Sequence, residues 1–154
     1  MPQRYWLMKS EPDVYSIADL EEDGTTCWEG VRNYEARNNM QEMSEGELVL
    51  FYHSSTTPPG VAGVARVSRE AYPDHYAFDP DHAYHDEKSD PDDPTWWMVD
   101  VEFVERFDEP VALSRIKDRD ELREMVLVNR TRLSVQPVAE EEFELVRRMG
   151  KGVS

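Results

Sequence analysis

The chain has 154 residues, 39% hydrophobic and 32% charged, with 17 Lys and Arg against 33 Asp and Glu for a net charge of −16. A single domain of this size buries roughly 68–70% of its unfolded surface, no apolar run approaches the ~18 residues of a membrane span, and one cysteine, Cys27, excludes an intrachain disulfide and a multi-thiolate metal site. A body this acidic repels a polyphosphate, which argues against tight non-specific duplex binding. The acid is uneven: residues 70–110 carry 14 acids and two bases, whereas residues 111–154 carry eight acids and nine bases. Many acids with few Lys is also what a salt-tolerant proteome would show. The N-terminus lacks a signal-peptide pattern, so the expected location is the cytoplasm and no membrane partner is expected.

In chain order, Arg4 to Lys9 predicts a buried first strand ended by Pro12. Ser16 begins a capping pattern, so a short helix runs from Ser16 to about Glu22 and stops near Gly24. Trp28-Glu29-Gly30 reads as a turn, and Asn33 to Met43 as a helix with Gly46 as its stop. Glu47 to His53 is a continuous apolar run, which predicts a strand buried on both faces. Pro58-Pro59-Gly60 turns the chain into a second strand, Val61 to Val67. The two strands should pair antiparallel at the centre of the sheet, and Gly63 marks a bulge or a close approach.

Tyr72 to Pro94 has no periodicity and four prolines. It is an acidic loop, placed at residues 73–95, of a length that usually serves function or motion. Trp96 to Phe107 alternates and predicts a half-buried strand. Leu113–Lys117 and Arg119–Met125 are short helical pieces, Arg132 to Val138 an extended segment, and Ala139 to Met149 a final helix. That helix has Glu140, Glu141 and Glu142 in its first turn and Arg147 and Arg148 in its last, which suits the helix dipole. Short strands among short helices predict an α+β domain, a small mixed β-barrel with short helices around it.

The chain has no phosphate loop and no GxGxxG. His53 and Ser54 are neighbours at a strand end, so their side chains point to opposite faces, a poor start for nucleophilic catalysis. His75, His82 and His85 sit in the acidic loop, where no stiff element holds them as metal ligands, so no metal and no cofactor are expected. The aromatic set says more. Trp6, Trp28, Tyr52, Trp96 and Trp97 flank Lys9-Ser10-Glu11, Arg32-Asn33, His53-Ser54, and Arg132 with Ser134 and Gln136. A planar heterocycle needs an aromatic face and a few fixed donors and acceptors. Core aromatics beside helix caps would give the same pattern, and from periodicity both readings stand.

Six stretches go further. They are Tyr5-Trp6-Leu7-Met8-Lys9-Ser10-Glu11-Pro12, Trp28-Glu29-Gly30-Val31-Arg32-Asn33-Tyr34, Ala36-Arg37-Asn38, Phe51-Tyr52-His53-Ser54, Tyr72-Pro73-Asp74, and Arg132-Leu133-Ser134-Val135-Gln136-Pro137-Val138. In this order, and over nearly the whole chain, they resemble the EVE-domain family of the PUA-like superfamily. The resemblance implies a single PUA-like domain over residues 1–154, with a barrel that carries a surface pocket. It implies a non-catalytic, monomeric reader that binds a modified nucleobase within nucleic acid, modified cytosine in DNA being the leading candidate. Trp28 is then expected to stack on the base, as one wall of the aromatic cage in the related YTH domains does. Lys9, Ser10, Glu11, Asn33 and Ser54 would contact its edges. Arg32 and Arg132 would meet a phosphate or brace the rim, and Tyr52, His53, Ser134 and Gln136 would complete the wall. Trp6 and Trp97 are assigned to the core.

The chain departs from the family pattern at position 35, where Glu stands in place of Gln, and in the three loop histidines. Arg32, Arg37, Arg130 and Arg132 could ring the mouth while the acidic loop lies on the far face. Two other readings remain: a hydrolase of a modified nucleotide with His53 and Glu11 as acid and base, and a binder of a small heterocyclic metabolite. The crowding of like charge between residues 70 and 110 predicts that moderate salt stabilises the fold, since repulsion is screened within roughly 8–10 Å at physiological ionic strength. A melting temperature that rises from low to moderate NaCl is expected; a steady fall to molar salt would contradict it.

Overall fold

The computed structural model describes residues 4–28, 31, 33–74, 81, 96–130 and 133–152. The central strands follow from apolar runs that leave no polar face. β1 (Tyr5–Ser10) and β3 (Leu48–His53) run parallel, Tyr5 opposite Leu48 and Ser10 opposite His53. Successive side chains of a strand point to opposite faces. Trp6, Met8, Val49 and Phe51 therefore enter one core cluster, and Leu7, Leu50 and Tyr52 the other. Each fully buried side chain of this size contributes roughly 1.5–3 kcal/mol, so an apolar run packed on both faces stabilises the fold strongly.

The sheet has six strands in the order β2-β5-β4-β3-β1-β6, where β2 is Thr25–Cys27, β4 Gly60–Pro73, β5 Trp97–Ala112 and β6 Val135–Val138. Every pairing except β1 with β3 is antiparallel. The sheet curls into a barrel-like α+β fold, with β2 and β6 at its ends and no ladder joining them among the described residues. The helices are α1 (Ile17–Asp23), α2 (Tyr34–Glu42), α3 (Leu113–Lys117), α4 (Val126–Asn129) and α5 (Glu140–Gly150). Ser16 caps α1 through the expected reciprocal pair: Asp19 N–H donates to Ser16 Oγ at 3.1 Å and Ser16 N–H to Asp19 Oδ2 at 2.9 Å.

Glu47 anchors the entry to β3. Its buried carboxylate accepts from the Trp6 indole at 2.9 Å, the Ser44 amide at 2.7 Å and the Arg4 amide at 3.1 Å. Trp6 is a core residue, as expected, whereas Trp97 is half-buried at the start of β5.

Several boundaries differ from the sequence expectation. Gly46 does not close α2; Met43 caps it with an N–H to Met40, and Gly46, at φ 93°, turns the chain into β3. β4 runs on to Pro73 and β5 to Ala112, beyond the expected ends at Val67 and Phe107. The reason is register. Phe51 pairs with Gly63 but Tyr52 with Val61, and Gly63 pairs with Arg106 but Val61 with Val111. Residues 107–110 thus leave the ladder at the position where the alternation ends, and pairing resumes beyond them. β2 and α4 escaped prediction because three and four residues are too few to show a period. In the Arg119–Met125 piece only Asp120–Leu122 is helical, as a single 3-10 turn. The loop histidines, Glu29-Gly30, Arg32, Arg132 and most of the 73–95 segment lie outside the described residues; at the neck of that segment Asp74 is buried and its N–H donates to the Trp96 carbonyl at 2.9 Å.

Gly63 answers both halves of its expectation. It sits at the bulge, and a Cβ there would collide with the Glu105 carbonyl oxygen and the Ile17 side chain. Gly63→Ala is expected to cost about 1–3 kcal/mol as overpacking, which lowers the melting temperature by about 2–4 °C per kcal/mol in a domain of this size. An unchanged thermal melt would show that the backbone there yields without cost.

Candidate functional site

The parallel pairing of β1 and β3 brings their carboxyl ends out together. Lys9 lies opposite Tyr52. The Ser54 N–H donates to the Ser10 carbonyl and the Lys9 N–H to the Ser134 carbonyl, both at 2.9 Å, so three chain segments are tied at one point. A cavity of about 510 Å³ opens there, lined by Lys9, Glu11, Tyr52, Ser54, Ser55, Pro59 and Ser134. Five of these seven residues were singled out from the sequence. Pro59 was read only as a turn residue, and Ser55 was not singled out. The polar turn after an apolar strand was the available signal for them, and Ser55 occupies the left-handed region at φ 56°.

The cavity joins an ammonium, a carboxylate, three serine hydroxyls and the Tyr52 phenol to the ring of proline. The Lys9 ammonium lies 5.5 Å from the centre of the Tyr52 ring. Burial draws the Lys9 amine below its ordinary value and pushes the Tyr52 phenol above its own. Glu11 is exposed at the rim. Such a set can donate to and accept from the edge of a planar polar ligand, and its volume falls in the usual range for small-molecule sites, roughly 300–1,000 Å³.

The remaining candidates among the described residues fall elsewhere. Strand alternation turns Ser10 and His53 to the face opposite Lys9 and Tyr52. The Ser10 hydroxyl donates to the Tyr15 carbonyl at 2.6 Å. Asn33 caps α2, its Oδ1 accepting from the Ala36 amide at 2.9 Å. Gln136 is fully buried opposite Leu7, with its amide donating to the Leu133 carbonyl at 2.8 Å. Trp28 is 9% exposed, within the cluster that holds Met8 and Phe51, its ring edge-on to Phe51 at 5.4 Å. It does not line the cavity. Among the described residues Trp28, Ser10, Asn33 and His53 thus have structural partners on the other side of the pair.

His53 is held as an acceptor: the Ile17 N–H donates to its Nε2 at 3.1 Å, and its ring packs edge-on to Phe51. Burial, helped by the Arg106 charge, keeps the imidazole below its ordinary 6.5. The folded state therefore binds fewer protons than the unfolded chain once the pH falls below about 6.5. Its contribution to stability is whole above that pH and is lost as pH falls from there through the folded value. The drop in melting temperature between pH 7.5 and 5.5 should be smaller in His53→Gln than in the wild type; equal drops would contradict this assignment.

Comparison with known proteins finds relatives over nearly the whole chain. The family model of the EVE domain matches residues 4–149. Thymocyte nuclear protein 1 of Homo sapiens is 42% identical over 161 residues, covering 92% of this chain and 72% of that protein. A hypothetical protein from Leishmania major superimposes with a TM-score of 0.95 at 50% identity, over 98% of this chain and 96% of that one. The crystal structure of human THYN1 protein in complex with 5-methylcytosine-containing DNA superimposes with a TM-score of 0.92 at 41% identity, over 97% of this chain and 98% of that one. The chain belongs to the EVE-domain family.

Proposed function

We propose that this EVE-domain protein reads a modified cytosine in DNA without transforming it, and that it seats the base in the cavity at the carboxyl ends of β1 and β3. The observation that carries the reading is the convergence of Lys9, Glu11, Ser54 and Ser134 on one 510 Å³ cavity. The human relative bound to 5-methylcytosine DNA supports it. A carboxylate accepts from the exocyclic amine of cytosine, which is the role assigned to Glu11. Lys9 and the serine hydroxyls supply the donors that the ring nitrogen and carbonyl require. Pro59 and the aliphatic stem of Lys9 offer the apolar surface against which a 5-methyl group can rest. A base within a duplex must be extruded to reach such a site, and the contacts made there are local. A net charge of −16 therefore weakens non-specific binding without preventing recognition.

The hydrolase reading has less support. It needs His53 and Glu11 as a pair, yet His53 Nε2 already accepts from Ile17. The titratable groups that line the pocket are a rim carboxylate, one lysine and the Tyr52 phenol, and His53 is not among them.

Fluorescence anisotropy with matched duplexes, one carrying a single 5-methylcytosine, tests the proposal. Tighter binding of the methylated duplex is expected. Glu11→Ala should weaken it by about five- to 150-fold, the equivalent of about 1–3 kcal/mol for a good base-edge contact. Equal affinity for the two duplexes, or a Glu11→Ala variant that binds as the wild type does, would overturn the reading.

A further inference from the structure

The exposed start of α2 carries an arrangement that the pocket does not use. Tyr34 is 62% exposed, one of two large hydrophobic side chains so placed among the described residues. Its ring stacks on Trp96 at 5.1 Å and 22°, and the Arg37 guanidinium lies 5.0 Å from its centre. One residue on, Glu35 meets Arg130 through both carboxylate oxygens, at 2.7 and 3.2 Å. The surface adjoins the pocket through the chain itself. Arg130 is four residues from Ser134, a reach of at most about 14 Å, and the Asn39 amide holds α2 to β6 through the Val135 carbonyl at 2.7 Å.

The guanidinium fork that takes a carboxylate through two parallel bonds takes a phosphate in the same way. The Glu35–Arg130 pair is just over half exposed on each side, at 52% and 55%, so water screens it and its partner can be exchanged. A ring stacked on a tryptophan and flanked by arginine is the pattern on which bases and strands stack. In a chain of net charge −16, guanidinium groups grouped at one helix start favour a polyanion there over any other macromolecule.

We propose that the start of α2 is a strand-binding surface in which Arg130, Arg37 and Tyr34 meet the nucleic-acid backbone beside the base held in the pocket, and in which Glu35 is the carboxylate that phosphate displaces from Arg130. This rests on the reading of the pocket as a base site. Glu35 then sets how tightly any sequence is held, while the pocket sets which base is preferred.

The test is the salt dependence of affinity for methylated and unmethylated duplexes, measured for the wild type, Glu35→Gln, Arg130→Gln and the double variant. Glu35→Gln should bind both duplexes about three- to tenfold tighter at about 50 mM salt, because no carboxylate has to be displaced, and Arg130→Gln should make the log–log salt slope shallower by about 0.9, the loss of one phosphate contact. The preference for the methylated duplex should stay as it was. In the Arg130→Gln background the gain should vanish. A Glu35→Gln variant with wild-type affinity would overturn the proposal, as would a gain of the same size without Arg130 or an Arg130→Gln variant with the wild-type slope. Absence of methyl preference alongside the expected slope changes would overturn the base reading and leave this surface standing; absence of binding by every variant would overturn both.

Discussion

The parallel pair β1–β3 is the constraint from which the rest of the structure follows. Both strands are apolar on both faces, so each face must be covered: by Trp6, Met8, Phe51 and their partners on one side and by Leu7, Leu50 and the α5 residues Phe143 and Val146 on the other. Parallel neighbours need a crossover rather than a hairpin. The chain supplies it through α1, β2 and α2, and Glu47 closes it by holding Trp6, Ser44 and Arg4 at once. The same pairing forces the ends of the two strands to emerge side by side. There the apolar alternation stops and Lys9, Glu11 and Ser54 begin, and a polar cavity forms at the edge of a dry core.

This arrangement separates two tasks that lie close together in sequence. Lys9 and Ser10 are neighbours, as are Tyr52 and His53, yet alternation sends one of each to the cavity side and the other to the packing side. Ser10 fastens the loop before α1 through Tyr15, and His53 fastens the start of α1 through Ile17. They hold the strand ends from behind while Lys9 and Tyr52 face the cavity. A residue string such as Lys9-Ser10-Glu11 is thus part cavity lining and part scaffold.

How much was legible in the sequence follows from the same geometry. The β3 run, the Gly63 bulge, the Ser16 cap and the polarity of α5 each carry a local physical signal, and each lies where that signal put it. β4 and β5 were read short because bulges broke the alternation on which the reading depends. For the site, the residue types that a base edge needs were visible, but which face each would occupy depended on where the strands end. Trp28 shows the difficulty. A tryptophan before a polar helix start reads equally as a platform and as core, and its 9% exposure against Phe51 comes from packing that no local pattern encodes.

The central claim is that the cavity at the ends of β1 and β3 is where a modified base is held. A residue-resolved NMR titration with a short duplex carrying one 5-methylcytosine tests it most directly. The account expects the backbone amides of Lys9, Glu11, Ser54 and Ser134 to shift together and saturably, with a smaller response from the Trp28 indole N–H. Shifts confined to Trp28, Asn33 and the opposite side of the strand pair, with the four cavity amides unmoved, would contradict it.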